Sequence, residues 1–134
     1  MRKKRTYPEY ELQKQVCTYM DYQYPDVMYM SDTIASVKLT MPQNVRNSAI
    51  QKKDFKCPDV LIFEPRGGYH GLFIELKVKS PFKLNGELYA GDHLKGQQET
   101  IDDLNSKGYL ACFSWGFERT KKVIDDYMKM EVNY

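Results

Sequence analysis

Pro58-Asp59-Val60-Leu61-Ile62-Phe63, then Arg66-Gly67-Gly68, then Leu72-Phe73-Ile74-Glu75-Leu76-Lys77-Val78 is the stretch that decides how this chain folds. Val60–Phe63 is an apolar run closed by Pro65, and Leu72–Val78 is a second one. The Arg-Gly-Gly signal between them predicts a tight turn, so the two runs read as an antiparallel hairpin. If the hairpin closes near Gly67, paired positions sum to a constant, and Asp59 faces Glu75. Side chains alternate along a strand, so Phe73, Glu75 and Lys77 share one face while Ile74, Leu76 and Val78 share the other. Two carboxylates and an ammonium are thereby gathered at one end of an otherwise apolar hairpin. Paired carboxylates repel and tend to take up a proton unless a cation is present. A hard divalent cation, Mg²⁺ or Mn²⁺, resolves that conflict through carboxylate and carbonyl oxygens. A lone Glu-x-Lys triplet is usually a solvated strand face; Pro58-Asp59 at the matching point of the partner strand favours a metal-dependent site.

Working outward, helical spacing of Leu12, Val16, Tyr19 and Met20 predicts a first amphipathic helix from about Pro8 to Tyr22, with Pro8 suited to its first turn. Val27–Met30 is short and β-compatible, and Ser31–Lys56 reads as a long polar excursion with a short helix at most. After the hairpin, Leu94, Gln97, Ile101 and Leu104 define another helix, stopped by Gly108. Tyr109–Ser114 reads as a strand, and Val123, Ile124, Tyr127 and Met130 mark a terminal helix. The expected fold class is α/β, a mixed sheet flanked by helices. The division expected is a basic arm over residues 1–7, carrying Arg2, Lys3, Lys4 and Arg5, and one domain over residues 8–134.

Composition narrows the class without naming it. The chain has 134 residues, 42% of them hydrophobic and 28% charged, which suits one globular core. A net charge of +2 means that any phosphate-binding surface must come from clustering rather than from the total. No run is long enough for a membrane span, and no apolar stretch follows the basic arm as a signal peptide requires. Cys17, Cys57 and Cys112 are far apart and form no CxxC pair, so they read as free thiols in a reducing, cytoplasmic setting.

Pro58-Asp59 followed by Glu75-Leu76-Lys77 resembles the signature of the PD-(D/E)xK nucleases, and within them the VRR-NUC branch. Glu9-Tyr10-Glu11-Leu12-Gln13, Pro42-Gln43-Asn44-Val45-Arg46, Gln97 with Ile101 and Leu104, and Gly108-Tyr109 carry the same resemblance in the same order. The family's glycine shortly before Pro-Asp is replaced here by Phe55-Lys56-Cys57. The resemblance implies an αβββαβ restriction-endonuclease-like core with a C-terminal helix, and metal-dependent phosphodiester hydrolysis. It implies a first-helix glutamate at the metal, which maps to Glu9 or Glu11. Glu9 lies on the inward face with Leu12 and Val16, whereas Glu11 is rotated away, so Glu9 is preferred. The expected metal ligands are therefore Glu9, Asp59, Glu75 and the backbone carbonyl of Leu76. Gln97 shares the inward face of its helix, and the resemblance makes it a site-orienting residue beside the catalytic Asp59, Glu75 and Lys77.

Arg46, Lys52, Lys53, Lys56, Lys79 and Lys95 flank the elements entering and leaving this site and are the expected nucleic-acid contacts, forming a positive rim around an acidic pocket. His70 and His93 read as turn or surface residues, and Tyr69, Tyr89 and Trp115 as packing rather than stacking groups. The resemblance implies a structure-specific endonuclease on branched or junction DNA, of Holliday-junction-resolvase type, working as a homodimer and needing no nucleotide cofactor. A compact nuclease of this kind suits a phage or other mobile element. Two other readings stand beside it. One is a catalytically weak nucleic-acid-binding module on a nuclease fold, and the other a sequence-specific restriction-type nuclease whose reader hides within Ser31–Lys56.

Overall fold

The computed structural model describes residues 7–32 and 38–134; the basic cluster Arg2–Arg5 lies outside them. Eight elements follow in chain order: α1 (Pro8–Gln23), β1 (Tyr29–Ser31), α2 (Met41–Ile50), β2 (Val60–Ile62), β3 (Leu72–Lys77), α3 (Asp92–Ser106), β4 (Leu110–Trp115) and α4 (Phe117–Met128). The strands form one mixed sheet in the order β1-β2-β3-β4. Its first three strands are antiparallel neighbours, and β4 returns parallel to β3 after the α3 crossover. The architecture is α/β and agrees with the expected fold class. The short helix allowed for inside the polar excursion is α2, which begins at a capping box. The Thr40 side chain accepts from the Gln43 backbone N–H, and the Gln43 side chain accepts from the Thr40 N–H. None of its residues is buried.

The hairpin register is the one expected from the turn. Val60 pairs with Ile74, Leu61 with Phe73, and Ile62 with Leu72. The turn itself is anchored from below. The Arg66 guanidinium donates to the Met128 carbonyl at 2.9 Å and pairs with Glu64 at 3.3 Å. The Tyr127 hydroxyl donates to the Glu64 carbonyl at 2.6 Å. The end of α4 thus holds the hairpin that carries the site.

Alternation along the strands sorts the core into two faces. On one face Val60, Ile62, Leu72 and Ile74 pack against Leu12, Val16 and Met20 of α1 and Ile124 and Tyr127 of α4. On the other, Phe73, Ala111 and Phe113 pack against Ile101 of α3. The α1–α4 contact is fixed by polar groups as well, since Tyr19 and Tyr24 both donate to the same oxygen of Asp125. The terminal helix starts earlier than its apolar spacing indicates, at Phe117. Ser114 and Thr120 are joined by a buried hydroxyl–hydroxyl bond of 2.7 Å, and Thr120 also donates to the Gly116 carbonyl. These bonds tie the first turn of α4 to the end of β4. The remaining boundaries shift by a residue or two: α1 ends at Gln23, β1 is Tyr29–Ser31 and β4 is Leu110–Trp115.

Ile124 is fully buried where α4 meets the sheet. Truncation there leaves a cavity in a face that α1 and the sheet already fill. The Ile124→Ala variant should lose about 3 kcal/mol of unfolding free energy in urea titrations, with an unchanged slope.

Candidate active site

The end of the hairpin away from its turn is where polar side chains enter the sheet. One step beyond Val60–Ile74, the register sets Asp59 beside Glu75. The Asp59 carboxylate accepts from the Leu76 backbone N–H at 2.8 Å, filling a donor that the ending β2 ladder no longer serves. Glu75, Lys77 and the α3 core share the face that Phe73 marks. Glu75 is 6% exposed and Gln97 of α3 is also 6% exposed. The Gln97 amide bridges the two charged residues of β3. Its nitrogen donates to Glu75 Oε1 at 2.8 Å, and its oxygen accepts from Lys77 Nζ at 2.8 Å. The amide can be oriented only one way here, because the carboxylate needs a donor and the ammonium an acceptor. Its neighbour Gln98 instead bonds Asp102 on the exposed side of α3.

Burial works against charge at this point. Removal from water pushes the Glu75 carboxyl up to about 9, with the adjacent Asp59 adding to the shift through its charge and a hydrogen bond. Burial raises Asp59 as well, an effect that the Glu75 hydrogen bond, the Leu76 N–H and the Lys77 charge offset only in part and that the Asp32 charge adds to. With both carboxyls raised, the cation-free pair holds a proton in common and titrates as one unit.

The pair opens into a cleft of about 440 Å³. Its lining includes Asp59, Glu75, Leu76, Lys77 and Gln97, together with Glu9 from α1. Glu11 lies elsewhere, on a surface groove with Tyr19 and Tyr22. Of the basic residues, Lys56 lines the cleft; Arg46, Lys52, Lys53, Lys79 and Lys95 are exposed and do not. The cleft also takes in residues that the sequence did not assign to it, among them Gln13, Asp32 and Cys57, and His93, read from the sequence as a turn or surface residue, lines it too. Asp32 is the most telling. Ser31 pairs with Val60, and the Asp32 N–H donates to the Asp59 carbonyl at 3.0 Å. The next step of that register sets Asp32 beside Asp59, so Asp32, Asp59 and Glu75 form one row across β1, β2 and β3. An acidic residue two positions after the β-compatible run Val27–Met30 was the available signal. His93 stands at the start of α3, where its place at the cleft depends on how that helix docks.

Among the described residues, no three His, Cys, Asp or Glu side chains are gathered closely enough to hold a metal ion by themselves. The donor chemistry still fits a hard divalent cation. Mg²⁺ takes one or two carboxylates and keeps several waters, and Asp59 and Glu75 offer two adjacent carboxylates whose charges burial penalises. Among the described residues, no helix is long and apolar enough to cross a membrane, and all three cysteines are free.

No protein-family model matches the chain, and no curated protein matches its sequence. Its structure is similar to a solved structure described as a VRR_NUC domain protein. The two are 25% identical, the match covers 96% of this chain and 94% of that one, and the TM-score is 0.63. The fold is thus VRR-NUC nuclease-like, and the likeness points to a nuclease.

The shared proton gives a direct test in the cation-free protein. The folded state holds the Glu75 proton to a higher pH than the unfolded chain, whose glutamate titrates near 4.5. Folding therefore takes up a proton between these values, and stability falls as pH rises from about 5 towards 9. Denaturation midpoints measured in EDTA across that range should decline for the unaltered chain and stay nearly level for Glu75→Gln.

Proposed function

We propose that this chain is a divalent-metal-dependent, structure-specific DNA endonuclease, with Asp59, Glu75 and Lys77 as its catalytic residues and Gln97 as the residue that orients them. The observation that supports this reading best is the Glu75–Gln97–Lys77 relay beside Asp59 at the floor of an open cleft. A structural ion pair would bring Lys77 directly onto Glu75. Here Gln97 keeps the ammonium and the carboxylate apart, so each retains valences for other groups.

Asp59, Glu75 and the Leu76 carbonyl are the residues that would hold Mg²⁺ or Mn²⁺, and Glu9, on the cleft wall but not clustered with the two carboxylates, would meet water of the ion rather than the ion itself. When bound, the cation supplies Lewis-acid polarisation of a phosphoryl oxygen and a nucleophile at neutral pH. The chain's own groups do the rest. Lys77 has three N–H donors, one of which goes to Gln97. The other two are left to orient a water or to meet the charge that grows on the phosphoryl oxygens. Gln97 fixes the ammonium against α3 and fixes Glu75 Oε1 at the same time, so neither must reorganise as charge develops. Asp59 is oriented by the Leu76 N–H, which commits its Oδ2, and by its hydrogen bond with Glu75.

The substrate we assign is branched DNA, cut by a homodimer. A four-way junction offers two symmetric strands, and a two-fold pair of sites matches that symmetry. Arg46, Lys52, Lys53, Lys79 and Lys95, all exposed, are assigned to the phosphate backbone outside the cleft, where they position the duplex without reading sequence. The free cysteines suit work in the reducing cytoplasm.

The deciding assay is incubation with linear duplex, single-stranded, flap and four-way-junction DNA in Mg²⁺, in Mn²⁺ and in EDTA. Cleavage is expected only with metal and fastest on branched DNA, and Lys77→Ala and Asp59→Asn should each lose at least about 10²-fold in rate. Binding without cleavage in either metal would contradict the proposal in favour of a binding module. Cuts at one sequence in plain duplex would contradict the branched-DNA assignment.

A further inference from the structure

Glycine is among the poorest residues for a helix interior, yet Gly96 stands inside α3, directly before Gln97. Its backbone dihedrals do not require glycine, since it is absent from the positive-φ positions. Its surroundings do. A Cβ at Gly96 would lie 2.5 Å from Cε of Lys56 and 2.9 Å from its Cδ, with Nζ at 3.9 Å. The lysine stem therefore lies against bare helix backbone, in space that any side chain at position 96 would take. Lys56 lines the same cleft as Lys77 and Gln97, and it reaches there from the segment before β2 rather than from the sheet.

A cleft floored by Asp59 and Glu75 repels a polyanion, so a strand can enter only where cations at its mouth offset that charge. Lysine is a poor choice for that task when its four-carbon stem is free, because ordering the stem opposes binding. Packing the stem on a neighbouring surface removes much of that disorder before substrate arrives. We propose that Gly96 exists to seat Lys56, and that the seated ammonium grips a backbone phosphate of the nucleic-acid strand entering the cleft. Lys56 is then a substrate-binding residue and Gly96 a positioning residue that acts through it. The inference rests on the nuclease reading above and assigns a strand-gripping role within it.

The substitution Gly96→Ala tests this cleanly. Alanine is the better helix former, and the group in its way is the far end of a flexible side chain, so the helix survives while the lysine is displaced. Steady-state cleavage is measured on whichever of linear duplex, flap and four-way-junction DNA the unaltered protein cuts fastest, for Lys56→Ala, Gly96→Ala and the double variant. Each single variant should raise KM roughly fivefold with kcat within about twofold, as loss of one charged phosphate contact at an exposed lysine implies. The double variant should be no worse than Lys56→Ala alone, because both changes remove one interaction. The log–log dependence of KM on salt should become shallower by about one in all three. The melting temperature of Gly96→Ala should equal or exceed that of the unaltered chain, which a merely structural glycine would not allow. An unchanged KM in Gly96→Ala, two losses that multiply, or an effect confined to kcat would each overturn the inference while leaving the nuclease reading intact. An unaltered protein that cuts none of these DNAs overturns both.

Discussion

Two carboxyl groups lie side by side at the end of a hairpin, Glu75 buried and Asp59 half-buried at the cleft, and the rest of the site is arranged around the cost of that placement. In isolation the pair cannot ionise fully, because burial and mutual repulsion both oppose the second charge. Asp32 adds to that repulsion, and the other neighbours compensate in part. The Leu76 N–H commits one Asp59 oxygen, and the Gln97 amide serves Glu75 with a donor while holding the Lys77 ammonium at one remove. A fold selected only for stability would replace such a pair with apolar residues, as the rest of β2 and β3 does. On the proposed reading, a bound divalent cation offsets the cost of retaining it.

The scaffold explains why that placement is rigid. The hairpin is clamped at its turn by Arg66 and Tyr127, whose bonds reach the end of α4, and at its core by the α1 and α4 side chains under Ile62, Leu72 and Ile74. On the opposite face α3 docks through Ile101 and places Gln97 one turn earlier against Glu75 and Lys77. One helix layer thus supports the strands, and the other completes the site. The carboxylate row across β1, β2 and β3 is a consequence of two antiparallel registers that step together, so Asp32 comes to the cleft without any local motif of its own.

The parts of this arrangement that a sequence reveals are those set by short-range periodicity. Two apolar runs with a Gly-Gly turn gave the hairpin and its register, and the register alone placed Asp59 opposite Glu75. Helical phase distinguished Gln97 from Gln98 and Glu9 from Glu11, and Gly108, with a φ of 93°, does end α3 as its position indicates. What stayed hidden depends on contacts between distant segments. α2 is an exception, since it has no buried stripe and its signal is local but short, the capping box at Thr40 and Gln43. The early start of α4 depends on the Ser114–Thr120 bond, which links a strand to a helix. Asp32 and His93 reach the cleft through strand pairing and helix docking, and Lys56 is distinguished from the other surface lysines only by the bare backbone of Gly96.

The central claim is that the Asp59–Glu75 pair is a divalent-cation site, and calorimetric titration of Mn²⁺ into the metal-free protein tests it without reference to any substrate. Titrations in two buffers of different ionisation enthalpy also count the protons released. The account predicts saturable binding accompanied by proton release at neutral pH, both largely lost in Asp59→Asn and Glu75→Gln. Binding of equal affinity and proton count in all three proteins would contradict it.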